Sequence, residues 1–80
     1  METSIMKARL ISTSNQHIVK YVGETRECQI KENRLFMVRV PDKHYIQTSK
    51  IKDYSQTGKF IRVETQNSVY ELEIIVEEEK

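Results

Sequence analysis

The sequence predicts an all-β fold, a small barrel of the SH3-like or OB-like kind or a compact sandwich, and three observations carry that reading. Apolar residues in the last third recur with period two, the spacing that lines one face of a strand. Turn-forming residues punctuate the chain at short intervals, and no apolar stripe of helical period is long enough to build an all-α alternative. With 80 residues there is room for one domain, residues 1–80, and no second one to frame an active site.

The strands follow in order of clarity. In Phe60-Ile61-Arg62-Val63-Glu64-Thr65, the residues Ile61, Val63 and Thr65 share one face, and Phe60, Arg62 and Glu64 the other. From Val69 to Val76 the inward set is Tyr70, Leu72, Ile74 and Val76, with Glu71 and Glu73 opposite. Gln66-Asn67-Ser68 joins the two runs, and Asn tolerates the left-handed backbone of tight hairpins. Upstream, the polar cluster Tyr54-Ser55-Gln56-Thr57 before Gly58 reads as a turn, and Tyr45 to Ser49 as a short strand. Leu35 to Val40 is a strand whose inward face is Phe36, Val38 and Val40, ended by Pro41-Asp42. Ser12-Thr13-Ser14-Asn15 separates an opening strand, Lys7 to Ile11, from another at Ile18 to Val22. Between Glu24 and Asn33 helix formers compete with Cys28 and Ile30 at strand spacing, and strand is favoured over a short helix. The total is about five to seven short antiparallel strands, and closure into a barrel removes exposed edges.

Composition narrows the classes of function. Hydrophobic residues make 38% and charged residues 31% of the chain, enough for a folded but thin core. Such a core supplies about 3–5 kcal/mol and is commonly reinforced by disulfides, metals or association. A lone cysteine, Cys28, leaves association, so a homo-oligomer is expected. Residues 1–62 hold 12 Lys and Arg against 6 Asp and Glu, whereas residues 63–80 hold 1 against 6, a basic body with an acidic end at residues 77–80, read as a frayed tail. A net charge of +1 argues against a duplex-DNA partner. The opening Met-Glu-Thr-Ser-Ile-Met-Lys has no secretory pattern and no run approaches the roughly 20 apolar residues of a span, so the expectation is a cytoplasmic protein without a membrane.

Chemistry-bearing residues are few. Cys28, His17, His44, Asp42 and Asp53 are the raw material for catalysis, and a Cys28–His44 dyad is the one nucleophile and base to weigh; none stands in a catalytic motif, so no catalytic residues and no enzyme are expected. Neither clustered cysteines nor a His-Glu-x-x-His run is present, and Gly23 and Gly58 are the only glycines, so metal, cofactor and phosphate loops are not expected. Binding is the better fit. Lys43 with Tyr45, and Lys52 with Tyr54, pair a cation with a ring at strand spacing. Arg39, Lys43, Tyr45 and Arg62 form the candidate contacts for a small anionic nucleotide held between subunits. Val19, Leu35, Met37 and Ile75, on the faces opposite the assigned core, form the candidate self-association surface, which also suits a protein partner.

The run Tyr45-Ile46-Gln47-Thr48-Ser49-Lys50-Ile51, a polar turn ending at Gly58, and then Thr65-Gln66-Asn67-Ser68-Val69-Tyr70-Glu71-Leu72 resembles short β proteins of unassigned role in bacteria and their phages. The resemblance covers about residues 45–76. It implies a hairpin and no activity. With the composition, it suggests a non-enzymatic interaction module, an accessory or inhibitor of a larger machine.

Overall fold

The computed structural model describes residues 3–75, so Val76 and the acidic tail lie outside the described residues. Six strands run β1 (Met6–Thr13), β2 (Thr25–Lys31), β3 (Arg34–Arg39), β4 (His44–Thr57), β5 (Phe60–Thr65) and β6 (Val69–Ile74). Each pairs antiparallel with the next, and β6 returns to β1 to close the barrel. The order is an up-and-down meander, without the crossing connection of a Greek key. Among the described residues no helix is long and apolar enough to cross a membrane.

Turn chemistry explains the strand ends. Glu32 and Asn33 both have positive φ, 54° and 60°, as a two-residue hairpin turn between paired Lys31 and Arg34 demands. Gly58, at φ 59°, opens the two-residue turn from Thr57 to Phe60 and takes that conformation without a Cβ penalty. The expected hairpin at Gln66-Asn67-Ser68 is present, and the Thr65 hydroxyl organises it by accepting from the Ser68 N–H at 3.1 Å and donating to the Ser68 carbonyl at 3.1 Å.

The inward faces of β5 and β6 match the period-two reading, with Ile61, Val63, Thr65, Tyr70 and Leu72 all buried. On β3 the phase is reversed. Leu35 and Met37, expected outside, are 2% and 0% exposed, while Phe36 and Val38 point outward and Val40 lies in the following turn. Every residue of Leu35–Val38 is apolar, so alternation within the strand cannot choose a face. The neighbour chooses it: Met37 stands opposite Cys28 and Leu35 opposite Ile30, and cross-strand partners share a face.

Two further segments depart from the sequence reading. Ile18 to Val22 is no strand. The Asn15 side chain accepts the His17 N–H at 2.9 Å, its carbonyl accepts those of Ile18 and Val19 at 3.0 Å each, and a 3₁₀ turn at Val19–Tyr21 follows. Tyr54 to Thr57 is no turn but the last part of β4, which runs 14 residues from a pairing with β3 to one with β5. Extra residues in β4 offset its register against Arg34–Phe36 and again at Ile51–Asp53, bending it as bulges do. Its inward side chains therefore step from Ile46 and Thr48 to Ile51 and Tyr54, which breaks the period of two. At the first offset the buried Thr48 hydroxyl accepts the Leu35 N–H at 3.0 Å and donates to the Ser49 carbonyl at 2.8 Å.

Side chains fill the interior. The space among Met6, Cys28, Tyr54 and their neighbours amounts to about 10 Å³, room for about one water and none for a ligand. Leu35→Ala is expected to cost about 2–5 kcal/mol in urea denaturation, and the outward Phe36→Ala clearly less. The reverse ranking would overturn the assigned phase of β3.

Candidate functional site

The densest polar cluster closes one end of the barrel around Arg26, a β2 residue in phase with Cys28 and Ile30 and 2% exposed. Every N–H of its guanidinium is used. Nε and Nη2 donate to Glu24 Oε1 at 3.0 and 2.8 Å, and Nη1 donates to the carbonyls of Met37 and His44 at 3.2 and 3.1 Å. The remaining Nη2 bond goes to His44 Nδ1 at 3.2 Å. Arginine cannot accept, so in this contact His44 Nδ1 is the acceptor, while Nε2 faces the Tyr21 hydroxyl at 3.4 Å. The Tyr21 ring covers the guanidinium 4.9 Å from its centroid.

The cluster continues outward as alternating charge. Glu24 Oε2 accepts from Arg39 Nη1 at 2.9 Å, and Arg39 forks onto both oxygens of Asp42 at 3.0 and 2.8 Å. That hydrogen bond holds the Asp42 carboxyl well below the usual carboxylate range and raises Arg39 further. Among the described residues no buried side-chain polar atom lacks a partner. With its donors occupied and its charges matched, the cluster acts as a plug that orders the 3₁₀ turn and the β3–β4 turn. Tyr21, Glu24 and Arg26 are absent from the sequence-derived candidates. The signal for Arg26 was its phase, two residues before Cys28 and four before Ile30.

The Cys28–His44 dyad does not form. Both His44 ring nitrogens face Arg26 and Tyr21, and the Cys28 Sγ–H points at the Arg26 carbonyl at 3.6 Å. Burial pushes the Cys28 thiol from its ordinary 9.0 up to about 12, with Arg26 opposing more weakly, so the thiolate a nucleophile needs is disfavoured. His17 is exposed in the turn before the 3₁₀ segment, and Asp53 accepts the Tyr54 N–H at 2.9 Å. No group of three or more His, Cys, Asp or Glu side chains suited to a metal forms among the described residues.

The nucleotide candidates divide. Arg39, Lys43 and Tyr45 gather at the β3–β4 end, but Arg39 is held by Asp42 and Glu24, and Arg62 lies on β5, which pairs with β4 and β6. Cation–ring contacts fall at Tyr21 and at Phe60 beside Lys59, where neither expected pair contributes. Lys52 turns to Glu64 at 3.8 Å, and Tyr54 packs against the core.

Of the association candidates, burial rules out Leu35 and Met37, whereas Val19 is exposed as expected. Leu35 and Met37 are core residues, Val19 is exposed on the 3₁₀ turn, and Ile75 is half-buried with its N–H on the Lys7 carbonyl at 2.9 Å. In their place the outer face of β2–β4 carries Phe36 between Gln29 and Gln47, and Val38 between Glu27 and Tyr45. Tyr45 is 60% exposed, and Ile5, 63% exposed, shares a shallow cleft with Phe36 and Val38.

The chain matches no family model, no curated protein and no solved structure. The surfaces themselves therefore carry the functional reading.

Two measurements test the plug. Arg26→Ala is expected to cost at least about 3 kcal/mol in urea denaturation, because the carbonyls of Met37 and His44 and the His44 ring lose donors at about 1–3 kcal/mol each. A loss within experimental error of zero would refute it. Cys28, for its part, should resist iodoacetamide in the native protein at mildly alkaline pH and react once urea unfolds it. Rapid native labelling would contradict its burial and raised pKa.

Proposed function

We propose that the protein is a non-enzymatic interaction module that self-associates through the outer face of β2–β4. One observation carries the reading: Ile5, Phe36, Val38 and Tyr45 lie side by side on the outside of a barrel whose inside is already full. Burying contiguous apolar surface of this kind lowers the free energy, and the flanking Gln29, Gln47 and Glu27 supply the polar rim usual around such a patch. Closure also limits how copies can meet. Each strand is paired on both sides, so association uses side chains on a face and not the addition of a strand to an edge.

Nucleotide binding between subunits is the weaker reading, because Arg39 is engaged within its own chain and Arg62 stands apart. Native mass spectrometry tests both readings, since subunit number and a retained ligand appear in one spectrum. The expected wild-type result is an unliganded oligomer. Val38→Asp and Phe36→Asp should give folded monomers, whereas Met37→Asp should unfold the chain by placing a charge in the core. A wild-type monomer at concentrations where such interfaces persist, or a Val38→Asp variant that still oligomerises, would remove the proposal.

A further inference from the structure

A second surface, which takes in the far end of β4, has the form of a small-molecule site. The outer faces of β4, β5, β6 and β1 enclose an open groove of about 370 Å³ lined by Ile11, Ser55, Thr57, Phe60, Arg62 and Glu71. That volume lies within the roughly 300–1,000 Å³ of small-ligand sites.

Its apolar wall comes from β1 and β5. Leu10 pairs with Leu72 and Ser12 with Glu71, so Ile11 is the extra residue of a bulge in β1. Ile11 faces the groove by the ordinary alternation of β1, in which Ala8 and Leu10 stay in the core, and stands across from the half-exposed Phe60 ring, while the bulge brings Ser12 round to the Glu71 carboxylate.

The charges are placed to receive a ligand with two of its own. Arg62 and Glu71 stand directly opposite on β5 and β6, where cross-strand Cβ atoms are about 4.5–5.5 Å apart. Their side chains nonetheless turn to other partners. Arg62 makes one long contact of 3.7 Å with Glu64, a carboxylate that Lys52 also approaches at 3.8 Å, while Glu71 Oε1 accepts from the Ser12 hydroxyl at 2.6 Å. The next pair along differs: Glu73 is held between Lys59 at 2.9 Å and Arg9 at 3.6 Å. Arg62 thus keeps most of its guanidinium donors for a ligand, and Glu71 keeps its second oxygen.

We propose that this groove binds a small zwitterion with an apolar body, the chemistry of a free apolar α-amino acid. Its carboxylate meets Arg62, its ammonium meets Glu71, and its side chain lies between Ile11 and Phe60. A purely anionic ligand would face Glu71 and a purely cationic one Arg62, so charge complementarity selects the molecule that carries both. The site is separate from the association face and does not depend on it.

The test is an amide NMR titration of the full chain with L-phenylalanine. Saturable shifts centred on Ile11, Phe60, Arg62 and Glu71 are expected, with Arg62→Ala and Glu71→Gln each weakening binding about tenfold or more, the effect of losing a charged hydrogen bond. Glycine, without the apolar body, and 3-phenylpropionate and phenethylamine, each with a single charge, should bind more weakly by a similar factor. Val38→Asp should leave the titration unchanged. An absence of shifts up to the solubility limit of L-phenylalanine, shifts located elsewhere, or equal binding by 3-phenylpropionate would overturn the proposal.

Discussion

Closure of the sheet through the β1–β6 pair is the constraint on which the rest of this structure depends. A meander of six strands left open would expose two hydrogen-bonding edges and only half enclose its apolar side chains. Closing it obliges each strand to commit one face to a common interior, and the paired registers pass that choice from strand to strand. Leu72 fixes Leu10, and Ile30 and Cys28 fix Leu35 and Met37. A small barrel then fills with side chains, so recognition is left to the outer faces and to the ends.

How far the sequence reveals this fold depends on whether a strand's two faces differ chemically. In β5 and β6 charged residues alternate with apolar ones, and strand, phase and hairpin are all legible there. Nothing in Leu35–Val38 distinguishes inside from outside. The phase of β3 is a property of its pairing with β2, which lies in another part of the sequence, and the interface candidates Leu35 and Met37 fell with it. In β4 the offsets destroy the period that would mark one long strand, so it reads as a strand followed by a turn. The Val19–Tyr21 segment has strand-forming residues, but the hydrogen bonds that Asn15 accepts turn the chain there, a local override of propensity.

The candidate sites show a related divide between residue type and residue placement. Arg39, Asp42 and His44 were singled out for their chemistry, and they do meet, but the buried Arg26 at their centre makes the cluster a support for the barrel end. Ion networks of this kind add little to net stability, because removing the guanidinium from water offsets much of what its partners return, yet breaking one leaves an uncompensated charge. Arg62, from the nucleotide set, borders the groove on β4, β5, β6 and β1, and the binding proposed there rests on the facing Glu71, a cross-strand neighbour that a single-strand pattern does not bring to notice.

The offsets in β4 have a consequence for how errors spread through the barrel. In an unbroken strand a pairing slip of one residue turns every side chain over, from one end to the other. Here the half that pairs with β3 and the half that pairs with β5 meet at a bend where the alternation is already interrupted. Between Thr48 and Asp53 the two offsets separate the phase of Ile46 and Thr48, set against β3, from that of Tyr54, set against β5. The 14-residue strand is thus two short strands in register terms, each with its phase set by its own partner.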